Sequence, residues 1–272
     1  MTEQGFDEEA LAEAYRRALR HEKAGALSLA AAAYNEMLRL DPDDRAGASV
    51  RLAGIGHGAV PERAPALYVA TLFDQHAEVF DTMLVEQLGY AAPMQLREIL
   101  HRVRPSGFER FLDLGCGTGL LGEAIEDRTR HRTGVDLSEG MIEIADEKEV
   151  YNDLFLGDIQ HFLQTTPGPS WDLIAATDVL PYLGDLGPLF AATARWLQPG
   201  GLFAVSTEDA PTGLADGFGV GSTHRFGHSA AYLDCVATAN GLHSLQREPI
   251  TVRFDEGSPV TGALMVWERA GP

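Results

Sequence analysis

Apolar side chains recur at the three-to-four spacing of a helix face over the first fifty residues, then gather into shorter and denser runs. Residues 8 to 22 carry one helical stripe. A second runs from 27 to 40, with Leu27, Ala30, Ala31, Tyr34 and Leu38 on one side and Asp41-Pro42 closing it. Together they predict a helical hairpin. From Gly54 to Pro65 the segment GIGHGAVPERAP breaks any period and predicts a linker at a domain boundary. The following YVATLFDQHAEVFDTMLVEQLGY sets Leu72, Phe73, Val79, Phe80, Met83 and Leu84 on helical faces, and Pro93 opens a further helix to Val103. Compact apolar runs then stand at 110–114, 132–137, 152–156, 171–177 and 201–207, with helical stretches between them. Such alternation predicts βαβ units and a parallel sheet buried on both faces. The tail differs, since 243–253 and 260–269 are strand-like and joined by DEGSP, which predicts an antiparallel hairpin. The expected organisation is a helical extension over 1–53, a linker over 54–65, and an α/β domain over 66–272 with cap helices at 66–103.

A chain of 272 residues suits one such domain of about 200 residues with an appendage. Lys and Arg number 21 against 40 Asp and Glu, a formal net charge of -19 without a basic cluster. DNA, RNA and anionic membranes are repelled at long range, so neither nucleic acid nor membrane is an expected partner. A small molecule, or a basic protein, is. Cys116 and Cys235 are too few for a disulfide framework and lack the spacing of a zinc site, so no metal is expected. The N-terminus has no signal-peptide pattern, and no apolar run approaches the ~20 residues that span a bilayer. The expected location is cytoplasmic.

The richest chemistry lies in FLDLGCGTG, residues 111–119, a strand running directly into Gly115, Gly117 and Gly119. Glycine is needed where backbone approaches a ligand closely or takes positive φ, and the following helix offers free N–H groups. A tight turn without a ligand is the plain alternative. GTGLLG, with Gly117, Gly119 and Gly122, also satisfies the dinucleotide fingerprint, which makes an NAD-binding oxidoreductase a rival. Two features count against it: Gly115 already occupies the strand end, and Asp113 would repel a pyrophosphate while suiting an ammonium and a sulfonium. Asp136 ends the second strand in TGVDLS, where a carboxylate can accept both hydroxyls of a ribose. Ser138 is the better cap for the next helix, and Met141 stands where it would cover an adenine face. Asp158 would accept from the adenine amino group beside the backbone of Ile159, although alone it also reads as a cap.

In this order the residues resemble the motifs of class I S-adenosylmethionine-dependent methyltransferases. Asp113, Gly115, Gly117 and Gly119 match the first motif, Asp136 the ribose acid and Asp158 the adenine acid; WDLIAATDVLPYL and LQPGGLFAVSTE resemble the fourth- and fifth-strand motifs. The resemblance implies a doubly wound, seven-stranded, mostly parallel sheet, S-adenosylmethionine as cofactor, and further contacts from Cys116, Leu137, Met141, Ile159 and Thr177. Asp178-Val179-Leu180-Pro181-Tyr182 departs from the Asn/Asp-Pro-Pro-Tyr of enzymes that methylate nucleic-acid amines. At the N-terminus Ala18, Ala30, Tyr34 and Pro42 resemble a tetratricopeptide repeat, and the whole arrangement is similar to bacterial predicted methyltransferases that carry such repeats. A lone repeat cannot bury its own face, so residues 43–53, the α/β domain, another copy of the chain or a protein partner must cover it.

Methyl transfer from a sulfonium is an in-line displacement, and a base is needed only where the acceptor must lose a proton. The expected acceptor is a small molecule, methylated at oxygen. A non-enzymatic S-adenosylmethionine-binding scaffold is the other rival. Asp178, Tyr182 and His228 are the catalytic candidates, and Glu208, His224, Arg225 and His228 the candidates for binding the acceptor. Segment 209–228 is too rich in glycine for a regular element and is expected to be a loop over the site. Within it, Arg225 is expected to anchor an anionic acceptor, the alternative being an ion pair with an acid such as Asp209 or Asp216. Removal of residues 1–53 is expected to leave cofactor binding nearly intact.

Overall fold

A computed structural model of the chain describes residues 7–165, 171–214, 217–255 and 257–271. It opens with α1 (Glu8–Lys23), α2 (Leu27–Leu40) and α3 (Ala48–Gly54). Asp7 caps α1 by accepting from the Ala10 N–H at 2.9 Å, and Glu8 and Glu9 at its start with Arg20 and Lys23 at its end suit the helix dipole. Ala14, Ala18, Ala30 and Ala33 let α1 and α2 approach closely around Tyr34 and Met37, and Leu52 of α3 joins the same cluster. Residues 43–53 thus supply part of the cover that the hairpin lacks.

The cap comprises α4 (Ala66–Asp74), a 3₁₀ turn (Ala77–Val79), a π-helical turn (Thr82–Gln87) and α5 (Ala92–Val103). Then follow β1 (Phe108–Leu114), α6 (Leu120–Ala124), β2 (Thr129–Asp136), α7 (Glu139–Glu147), β3 (Asp153–Leu156), α8 (Ile159–Thr165), β4 (Trp171–Ala176), α9 (Gly187–Trp196) and β5 (Leu197–Glu208). The chain closes with β6 (Phe218–Val220), β7 (Phe226–His228), α10 (Ala230–Ala239), β8 (Leu242–Asp255) and β9 (Ser258–Arg269). The main sheet runs β3-β2-β1-β4-β5-β9-β8; its first five strands are parallel, and β9 and β8 are antiparallel as the tail pattern predicts. Every position of β4 is buried, as helices on both faces require.

Two expectations need correction. Segment 209–228 is not simply a loop, because β6 and β7 pair as a short antiparallel hairpin. Its glycines allow close packing: a Cβ on Gly227 would lie 2.1 Å from the Asp209 carbonyl oxygen, where the hairpin meets the end of β5. Asp216 lies outside the described residues. The end of the expected linker is likewise fixed. Ala64 donates its N–H to the Tyr182 carbonyl at 2.9 Å, and the Glu62 carbonyl accepts from Gly184 and Asp185, each at 2.8 Å. Val50 and Ala53 of α3, Ala64, Val220 and Phe226 then share one buried cluster with Tyr68 and Tyr182, which joins extension, linker, cap and hairpin.

Candidate functional site

The strand order reverses between β1 and β4, and a crevice at the carboxyl ends of such strands is the usual ligand position in a doubly wound sheet. A cavity of about 920 Å³, open mouth included, lies there. Gly115 has φ of 70° and admits no side chain, because a Cβ would meet Val179 at 2.3 Å. Gly117 has φ of 53° and nothing within 4 Å of where a Cβ would stand, so open space adjoins the bare backbone. That cradle is where a ligand can touch main chain.

Asp136 ends β2 and lines the cavity with Leu137. Its two oxygens accept from the backbone N–H groups of Gly117 at 2.8 Å and Ser138 at 2.9 Å, which fixes the carboxylate while burial pushes its pKa upward. Asp158 is the cap that one of its readings gave, and it also lines the cavity. One oxygen caps α8 through Gln160 and His161, each at 3.0 Å, and the other accepts from Arg63 at 2.8 Å. Cys116, Ile159 and Thr177 also line the cavity, and burial drives the Cys116 thiol well above its usual range, leaving it inert.

Three expected contacts stand behind the cavity wall instead of on it. Asp113 is fully buried; Tyr151 donates to one of its oxygens at 2.7 Å, the other has no partner among the described residues, and burial pushes its pKa up to about 7. Gly119 caps α6, and a Cβ there would meet Val150 at 2.9 Å. Met141 is wholly buried under α7, whose first turn is capped by Ser138 as predicted. The dinucleotide rival weakens for the same reason. Of its three glycines, only Gly117 reaches the cavity, while Gly122 abuts the Tyr151 ring.

Asp178 and Tyr182 do line the cavity. Asp178 has φ of 58°, unusual for a residue other than glycine, and its N–H donates to Ser206 at 2.7 Å. The remaining polar candidates are otherwise engaged. Arg225 lies outside the cavity wall and donates from Nε to Glu208 at 2.8 Å, to the Tyr182 hydroxyl at 2.6 Å and to Asp178, so it is not the free anchor for an anion that the sequence suggested. Glu208 also accepts from Arg253. His224 Nε2 sits 2.8 Å from Glu22 of α1, off the line of a hydrogen bond, and so faces the extension. His228 is buried with Nε2 at 2.9 Å from the Leu183 carbonyl, and desolvation lowers its pKa to about 4. Buried off the cavity lining and weakened as a base by its lowered pKa, His228 is not placed to take an acceptor's proton.

Sequence reasoning missed the opposite wall. Arg63, Val69, Phe73, Phe80, Leu84 and Tyr90, from linker and cap, all face the cavity. Their signal was present as a second apolar face on short helices, and the π-helical turn that presents Leu84 is a form often found at functional sites. Burial pushes the Tyr90 and Tyr182 phenols upward, the latter to about 12, so both remain protonated.

Comparison with known proteins agrees with this geometry. Residues 112–205 match the family model of a methyltransferase domain. The chain is 37% identical over 119 residues to a ubiquinone biosynthesis O-methyltransferase of Xylella fastidiosa, covering 42% of this chain and 48% of that protein. To a malonyl-[acyl-carrier protein] O-methyltransferase of Yersinia pestis it is 31% identical over 143 residues, covering 51% and 49%. The chain therefore spans about half the length of the curated relatives it matches. A crystal structure of an S-adenosylmethionine-dependent methyltransferase from Clostridium acetobutylicum superposes with a TM-score of 0.54 at 16% identity, covering 74% of this chain and all of that one. The fold is the Rossmann-like methyltransferase fold.

Proposed function

We propose that this protein transfers the methyl group of S-adenosylmethionine to oxygen of a small-molecule acceptor. The observation that carries this reading is the open backbone at Gly117 beside an Asp136 carboxylate locked by two N–H groups. The residues fit the cofactor: the turn Gly115–Gly117 for its amino-acid end, Asp136 for the ribose hydroxyls, Asp158 and Ile159 for the adenine. Asp113, one step behind the turn, balances positive charge without contact. When bound, the cofactor supplies an electrophilic methyl on a cationic sulfur. The chain's own work is to orient the acceptor and exclude water, through Phe73, Phe80 and Leu84 of the cap, and to take up the acceptor's proton at Asp178. That Asp178 and Tyr182 face the cavity favours turnover over a binding scaffold.

The division at 1–53, 54–65 and 66–272, the tetratricopeptide character of α1 and α2, a protein partner or second copy at that extension, and a cytoplasmic location belong to this reading. Calorimetry tests its centre. S-adenosylmethionine and its demethylated product should bind while NAD does not, and Asp136→Ala should lose about 1.5–3 kcal/mol, the usual worth of hydrogen bonds to a charged group. Unchanged affinity in that variant would remove the cofactor assignment.

A further inference from the structure

Resting on the methyl-transfer reading, we propose that the acceptor is an uncharged phenol with an apolar body. Charge argues first. Among the described residues lining the cavity, Arg63 is the one cation, and Asp158 already accepts from it at 2.8 Å. Behind the wall, Asp178, Arg225, Glu208 and Arg253 alternate in sign and hydrogen-bond in sequence, so the group carries no net charge. An entering anion would meet the Asp136 carboxylate, held by backbone N–H groups alone, with no free cation to offset its repulsion or the anion's own desolvation. An ammonium fares little better, because Arg225 already neutralises Asp178 and would repel it.

Shape narrows the class further. Phe73 packs edge-on against Phe80, with ring centroids 5.8 Å apart, and against Tyr182 at 5.4 Å, forming an aromatic corner. Rings dock into such corners through the same edge-to-face preference. At the β4 end the lining is polar, with Thr177, Asp178 and Tyr182. Tyr182 accepts from Arg225, which leaves its own proton free to donate.

A phenolic hydroxyl has the acidity of tyrosine, pKa about 10, within reach of a carboxylate base, whereas an aliphatic alcohol lies nearer water at about 15.7. The acceptor oxygen's lone pair forms the O–C bond, the C–S bond breaks with its electrons left on sulfur, and the phenolic proton passes to Asp178.

Three probes of one shape separate the charge classes: 4-butylphenol, 4-butylbenzoate and 4-butylbenzylamine, titrated calorimetrically near neutral pH into protein saturated with S-adenosylhomocysteine. The phenol should bind at least about tenfold more tightly than either ion, the scale of one buried and unpaired charged group. Phe73→Ala should weaken the phenol several-fold while leaving S-adenosylhomocysteine affinity unchanged. Equal or tighter binding of the benzoate or the amine, or no probe binding to the saturated protein, overturns the proposal; the wild-type series decides this even if the variant folds poorly. Failure of S-adenosylhomocysteine itself to bind is a different result, which removes the methyl-transfer reading and this inference with it.

Discussion

His228 looked like an acid–base candidate and is instead a measurable contributor to stability. Its lowered pKa of about 4, against 6.5 in an unfolded chain, means that the folded state excludes the charged form. For a depressed pKa the stabilisation is complete above about pH 6.5 and is lost as pH falls toward 4, by about 3 kcal/mol in all. Urea unfolding at a series of pH values should show that slope, and His228→Gln should flatten it; an identical slope in the variant would place the acid sensitivity elsewhere. Arg225 marks the limit of what could be read from the chain. The positions of Asp136, at the end of β2, and Asp158, just after β3, were legible because each follows a strand recognisable from its neighbours. The partners of Arg225 were not. Glu208 stands 17 positions away and Asp178 stands 47, and nothing local links them.

Elements were legible in proportion to their length. The helices at 8–23 and 27–40 and the inner strands β1, β4 and β5 lie close to where apolar spacing put them, because several turns or a doubly buried run leave a strong period, whereas the edge strand β3 is short and mostly exposed. β6 and β7, with three residues each, are too short to show alternation and exist because tertiary contacts hold them. The extension was read as separable, yet Val50 and Ala53 bury against Val220, Phe226 and Tyr68, and Glu22 approaches His224. Deleting residues 1–53 would uncover that cluster. Scanning calorimetry should find Tm lowered by at least about 5 °C, a loss of one to two kcal/mol or more in a domain of this size, with S-adenosylhomocysteine affinity changed by less than about threefold. An unchanged Tm would make the extension an independent unit.

At the scale of the molecule, a formal charge of -19 is spread over a surface whose nucleotide-sized cleft is itself edged by carboxylates. A labelled RNA oligonucleotide should therefore show no anisotropy change at low salt, where phosphate contacts would be strongest; salt-dependent binding would contradict a small-molecule acceptor. Arg253, Glu208, Arg225 and Asp178 form the opposite arrangement, four alternating charges under the cleft with no surplus. Loss of Arg225 strands Asp178, and loss of Glu208 strands Arg253, at a cost of about 3–5 kcal/mol, a large share of the 5–15 kcal/mol that holds a typical domain folded. Mutation can cross that barrier only in coupled steps. The physics therefore expects the four residues to be inherited as one character, while the apolar wall facing them can change one side chain at a time and with it the choice of acceptor.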